Sequence, residues 1–245
     1  EADLVVINTC CVRGKAEQKA YSQLGRLRRL KMERPSLTIA VGGCLVEREG
    51  EKLLARVPEI DLAFGTHSLP RLGELLRDLE RSGGPICAVS GDNGLSAQAA
   101  RPRRESSVLA WVSVMQGCDN FCTYCVVPYV RGRERSRPSS DIVHEVEELA
   151  ARGYKEVTLL GQNVNSYGRK TPGELTFPQL LSRLNEVDGL ERIRFVTSHP
   201  KDLSDELIEG IRDLPKVCEH IHLPLQSGSD EVLERMGRGY TLGWY

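Results

Sequence analysis

Gln116-Gly117-Cys118-Asp119-Asn120-Phe121-Cys122-Thr123-Tyr124-Cys125 places three cysteines within eight residues, spaced C-x₃-C-x₂-C. Three thiolates on one short loop suit three irons of a cubane [4Fe–4S] cluster and leave the fourth iron without a protein ligand. An iron left open in this way can bind and reduce a small molecule, whereas a fully ligated cluster mainly carries electrons. Zinc is the competing reading, but it takes four ligands, and no fourth stands nearby in the sequence.

Outward from the loop, strand and helix patterns alternate. Residues 108–115 read as a strand that runs into the cysteines. Ser139-Ser140-Asp141 would cap a helix with Ile142, Val146, Leu149 and Ala150 on its buried face. Strands are expected at 156–160, 193–197 and 220–225, and helices at 178–187, 204–212 and 230–236. That makes four βα units. Chemistry in parallel α/β folds collects at the carboxyl ends of the strands. The cysteines, Gly161-Gln162-Asn163, Ser198-His199 and Gln226-Ser227-Gly228 all fall at such ends. Alternation along 220–226 would put His220, His222 and Gln226 on one side of the fourth strand.

The first 80 residues repeat the alternation on a smaller scale. Residues 4–8 (LVVIN) read as a buried parallel strand, and 15–31 as a helix facing inward through Ala16, Ala20, Leu24, Leu27 and Leu30. Further strands are expected at 37–41 and 60–64, with helices at 47–56 and 69–80. Residues 81–107, rich in Gly, Ser, Pro and Arg, read as a linker. The expected organisation is therefore a domain at 1–80, a linker at 81–107 and a second domain at 108–245.

Net charge is −1 over 245 residues, so any nucleic-acid surface must be local. Arg131, Arg133, Arg135 and Arg137, at every second position, would form such a row if the segment were extended. Arg101, Arg103 and Arg104 are read as linker solvation. No apolar run approaches the ~20 residues of a membrane span. Of eight cysteines, three cluster as C-x₃-C-x₂-C, which points to reduced thiols and a cytoplasmic protein, without a membrane partner. Glu1 stands just ahead of a strand and Tyr245 just after a helix, so the chain is expected to be a fragment of a longer one.

The cysteine loop, with Tyr124 just before the last Cys, resembles the signature of the radical S-adenosyl-L-methionine (SAM) enzymes. Residues 8–17 (NTCCVRGKAE), Gly42-Gly43-Cys44, residues 108–138 and 222–230 (HLPLQSGSD) are similar to the methylthiotransferases of that superfamily. The resemblance covers nearly the whole chain. It implies an α/β protein: a small parallel α/β amino-terminal domain followed by a partial radical SAM barrel, four of six βα units.

The resemblance also implies a transferase that adds a methylthio group to C2 of N6-dimethylallyl adenosine beside the tRNA anticodon. Residues 13–17 favour that substrate over two alternatives, threonylcarbamoyl adenosine in tRNA and an aspartate of a ribosomal protein. A non-catalytic iron–sulfur electron carrier is the alternative of another class. By resemblance, Cys118, Cys122 and Cys125 hold the catalytic cluster, whose open iron chelates SAM. Tyr124 lies near its adenine, and Gly161, Gln162, Asn163, Ser198 and Gln226 contact SAM. Cys10 and Cys44 match two of the three ligands of an auxiliary [4Fe–4S] cluster. The first ligand belongs upstream of Glu1, so that cluster lacks a ligand here. Cys11 is not expected to replace it, because strand neighbours point to opposite faces. Cys87 and Cys218 match no ligand. Implied partners are tRNA, an electron donor such as a flavodoxin or ferredoxin, and a sulfur donor, the protein being a monomer.

Overall fold

The computed structural model describes residues 2–89, 104 and 106–245. They form two compact units, residues 1–100 with 129–131, and residues 101–128 with 132–245.

The first unit is built from β1 (Leu4–Thr9), α1 (Gly14–Glu33), β2 (Thr38–Gly43), α2 (Cys44–Glu49), α3 (Glu51–Arg56), β3 (Leu62–Phe64), α4 (Leu72–Ser82) and β4 (Ile86–Ala88). Among the described residues its sheet has four parallel strands in the order β1-β2-β3-β4. Central β2 and β3 are buried almost throughout, because helices cover both faces of such a sheet. The expectation of a buried first strand is corrected: β1 is an edge strand whose Leu4 and Val6 are exposed. The expected helix at 47–56 is two helices, broken where Gly50 takes a positive φ of 55°. The linker reading of 81–107 missed β4, a strand of three residues that is too short to show periodicity.

The second unit contains β5 (Leu109–Ser113), β6 (Met115–Gln116), α5 (Val127–Arg131, shared between the units), β7 (Arg135–Ser136), α6 (Ser139–Ala151), β8 (Glu156–Leu160), α7 (Phe177–Asn185), β9 (Arg192–Val196), α8 (Asp205–Asp213) and α9 (Asp230–Arg235). Among its described residues three parallel strands order as β5-β8-β9, and β6 pairs antiparallel with β7. Ile142, Val146, Leu149 and Ala150 of α6 are buried, as their spacing predicts. They pack in one core with Val112, Leu159, Phe195, Leu180 and Leu184. Phe177 meets Phe195 edge to face, with ring centroids 5.1 Å apart. The expected cap on α6 is corrected: Pro138, not a Ser139–Asp141 side chain, precedes its first turn. By contrast Ser204 caps α8, its hydroxyl accepting from the Leu207 amide.

The fourth strand, expected at 220–225, is not formed. The chain touches β9 by a single bridge, Val217 with Ile193, and beyond the strand's end the Ser198 amide donates to the His222 carbonyl. With β9 on one side only and Pro224 unable to donate, a continuous ladder does not develop. The fourth βα unit is therefore an extended segment followed by α9.

Candidate functional site at the strand ends

The cysteine loop leaves β6 and its chain returns through β7, so the short antiparallel pair clamps both of its ends. Gly117 enters the loop at φ 79° and donates its amide to Gln162 Oε1 at 2.7 Å. The Cys118 amide donates to the Gly132 carbonyl, and the Cys125 amide to the Cys122 carbonyl. Asp119 collects Arg133 Nε at 2.7 Å, Lys170 Nζ at 2.6 Å and the Glu134 amide at 3.1 Å. Burial would raise the Asp119 carboxyl, but these donors outweigh it and hold the group well below the usual carboxylate range.

All three thiols of the loop are free; Cys118 and Cys122 are buried and Cys125 is half-buried. Burial pushes the Cys118 thiol up to about 11. Among the described residues no three Cys, His or acidic side chains stand close enough to hold one metal ion. Cys118, Cys122 and Cys125 are the donors that a cubane [4Fe–4S] cluster on this loop would take. The soft, sulfur-only donor set fits such a group.

The strand ends bring in part of the expected cofactor set. Gly161 is buried against the Met115 side chain, where a Cβ would collide. Asn163 Nδ2 donates to Asp202 Oδ2 at 2.7 Å, and Asp202 also pairs with Arg169 and Lys201. Three buried atoms at these ends, Asn163 Oδ1, Ser198 Oγ and His199 Nε2, have no hydrogen-bond partner among the described residues. Buried polar atoms are normally satisfied, so these are available to a bound polar molecule. Gln226, by contrast, is exposed at φ 74° and does not end a strand.

The arginine row is corrected. Arg131 closes α5, Gly132 turns the chain at φ 74°, and the segment is not extended throughout. Arg133 is held by Asp119, while Arg137 is held by Glu145 and the Ser113 carbonyl. Arg101 and Arg103 lie outside the described residues. Arg104 is no solvated linker residue: it pairs with Glu145 at 2.7 Å and donates to the Trp111 carbonyl.

Sequence reasoning missed Arg238. Its guanidinium is buried and donates to Cys122 Sγ at 3.4 Å, Tyr124 Oη at 3.1 Å, Tyr240 Oη at 3.4 Å and the Pro224 carbonyl at 3.3 Å. Tyr124 thus has its hydroxyl anchored although half its surface is exposed. The signal available in the sequence was an arginine between two glycines, Gly237 and Gly239, both at positive φ.

In the first unit, the parallel register pairs Thr9 with Gly43, so Cys10 and Cys44 follow directly from adjacent strand ends. Gly43 sits at φ 98°, with the Thr9 carbonyl where a Cβ would project. Cys10 and Cys11 lie beyond β1, so strand alternation does not separate them. Instead the Cys11 thiol is buried and donates to the Cys44 carbonyl at 3.3 Å. Burial, with Cys44 close by, pushes that thiol up to about 11. Cys87 lies in β4 and Cys218 beside β9, away from both groups in sequence.

Residues 112–245 match the model of the radical SAM superfamily. The chain belongs to the radical SAM superfamily. Residues 1–65 also match an uncharacterized protein family, UPF0004. The chain is 57% identical over 247 aligned residues to a tRNA-2-methylthio-N(6)-dimethylallyladenosine synthase of Geobacter sulfurreducens, covering 100% of this chain and 55% of the relative. Synthases of the same name from Syntrophus aciditrophicus and Clostridium botulinum are 53% and 50% identical, again over all of this chain and 53% and 54% of theirs. The chain therefore spans about half the length of the curated relatives it matches. Among solved structures it is similar to the radical SAM methyltransferase TsrM from Kitasatospora setae, with TM-score 0.68 and 18% identity over 100% of this chain and 55% of that one. It is also similar to the cobalamin-dependent radical SAM enzyme OxsB, with TM-score 0.67 and 16% identity over 98% and 37%. At these identities the two structures speak for the fold, an α/β radical SAM architecture. No described helix is long and apolar enough to cross a membrane.

Proposed function

We propose that this radical SAM chain carries the catalytic core of a methylthiotransferase that replaces the C2–H of N6-dimethylallyl adenosine in tRNA, beside the anticodon, with a methylthio group. The observation that carries the reading is the three-thiol loop, locked by Gln162 and Arg238 at the strand ends of a chain half identical to curated synthases of that name.

In this reading Cys118, Cys122 and Cys125 hold the catalytic cluster, and Cys10 and Cys44 supply thiolates to an auxiliary one. Bound there, the cluster would supply the single electron that lets SAM act as a radical source against the unreactive C2–H bond. A second SAM would be the source of the methyl group. The chain's own residues orient and shield. Asn163 Oδ1 is free to accept from polar groups of SAM and Ser198 Oγ to accept or donate, and the tethered Tyr124 offers a ring face to its adenine. Asp202 holds the Asn163 amide by its nitrogen, which leaves the oxygen available as an acceptor. A sulfur donor and an electron donor such as a flavodoxin or ferredoxin complete the balance. The cytoplasm, where tRNA and such reductants occur, is the compartment this chemistry requires.

The relatives' names do not favour threonylcarbamoyl adenosine, a ribosomal aspartate or plain electron transfer. The deciding experiment is anaerobic reconstitution with iron and sulfide, followed by SAM and dithionite. Release of 5′-deoxyadenosine, abolished in Cys118→Ala, Cys122→Ala and Cys125→Ala, is the expected result. Binding of zinc alone, or no nucleoside product, would overturn the reading. Mass spectrometry of tRNA from a deletion strain complemented with the full-length gene tests the substrate.

A further inference from the structure

Arg238 is a buried cation for which no carboxylate partner stands among the described contacts. Its donors go to Cys122 Sγ, Tyr124 Oη, Tyr240 Oη and the Pro224 carbonyl, and its guanidinium lies 5.3 Å from the Tyr240 ring centroid. Neutral acceptors and a ring face compensate a buried positive charge poorly, and buried charges are ordinarily paired. Of these four acceptors only Cys122 becomes a strong anion when it ligates metal, since a coordinating thiol is deprotonated outright.

We propose that Arg238 is a positioning residue that sets a fixed positive charge and a hydrogen bond on the Cys122 ligand, raising the reduction potential of the cluster and tying Tyr124 to the same anchor. The inference rests on the cluster reading above. Its physical basis is that one-electron reduction adds negative charge, and a cation at hydrogen-bond distance from a ligand sulfur stabilises the reduced form more than the oxidised one. Net charge and hydrogen bonds to sulfur are the established levers on such potentials. The tether is well placed for the purpose. Gly237 and Gly239 let the chain turn sharply after α9, the Thr123 amide donates to the Met236 carbonyl, and the Tyr240 hydroxyl bonds the Leu225 carbonyl. Cysteine loop, 224–225 segment and α9 terminus therefore meet at one side chain.

The test is potentiometric titration, followed by electron paramagnetic resonance, of the anaerobically reconstituted protein and its Arg238→Gln and Arg238→Lys variants. Iron and sulfide content are measured alongside. The expected result is a midpoint shifted negative in R238Q, with R238K between it and wild type, at equal cluster content. Loss of the cluster in R238Q that R238K restores supports the same role. Equal midpoints in all three proteins overturn the proposal and leave the functional reading standing. Loss of the cluster in both variants marks a purely structural arginine and overturns it too. A wild-type protein that assembles no cluster defeats the functional reading, and this inference with it.

Discussion

Gln162, two residues beyond β8, reaches across to the cysteine loop and accepts the backbone amide of Gly117 through its side-chain oxygen at 2.7 Å. One side chain thus couples the second βα loop to the residue immediately before Cys118. Gln162→Ala would leave a buried amide unpaired, at a cost of about 1–3 kcal/mol. Denaturant unfolding should show that loss, and reconstituted iron content should fall with it. Gln162→Glu, which keeps an acceptor in place, should lose less on both measures.

Gly117 itself is required by its backbone. At φ 79°, an added Cβ would run into the Arg133 and Gly132 carbonyls. Gly117→Ala should cost at least about 1–2 kcal/mol for the left-handed conformation alone, and more for the collision. The expected outcome is a chain that retains its far-ultraviolet circular dichroism but binds iron poorly.

His199 predicts a pH dependence. Burial chiefly, and then Arg238 and Lys201, depress its pKa to about 4, while nearby Asp202 acts in the opposite sense. Unfolded, it titrates near 6.5. The folded state thus favours neutral imidazole. Its contribution is complete above pH 6.5 and declines as pH falls toward 4, because the unfolded chain binds the extra proton. The full effect is about 3 kcal/mol. Unfolding free energies measured between pH 7 and 4 should fall with this slope, and His199→Gln should flatten it.

Glu145 bridges two arginines, Arg104 at 2.7 Å and Arg137 at 2.9 Å, and all three side chains are at least partly covered. Glu145→Ala would strand both cations beside β5. The expected destabilisation is about 2 kcal/mol, between the values for exposed and buried pairs. Removing Arg104 in the same background should then cost little more, a coupling that a double-mutant cycle would read.

Much of this architecture is legible in the sequence. The inward stripe of α6, Ile142, Val146, Leu149 and Ala150, follows from helical spacing, because burial of one face is a local periodic property. Strand β8 was equally plain as a short apolar run. The misreadings share a cause. Residues 220–225 have a strand-like composition, but a strand exists only if a partner completes its ladder. Arg131–Arg137 alternate in sequence, but Gly132 and the carboxylates of Asp119 and Glu145 decide where the guanidinium groups go. Ile86–Ala88 was too short to announce itself and became a strand only because β3 offered an open edge.

The proposed metal-binding chemistry rests on a local pattern. Three thiols within eight residues need no knowledge of the fold to be read, because ligand spacing on one loop is a covalent fact. The surroundings of those thiols were decided elsewhere in the chain. Gln162 arrives from 45 residues away and Arg238 from 116. Such pairings depend on which strand ends the packed sheet brings together, and no local pattern of polarity or spacing encodes that.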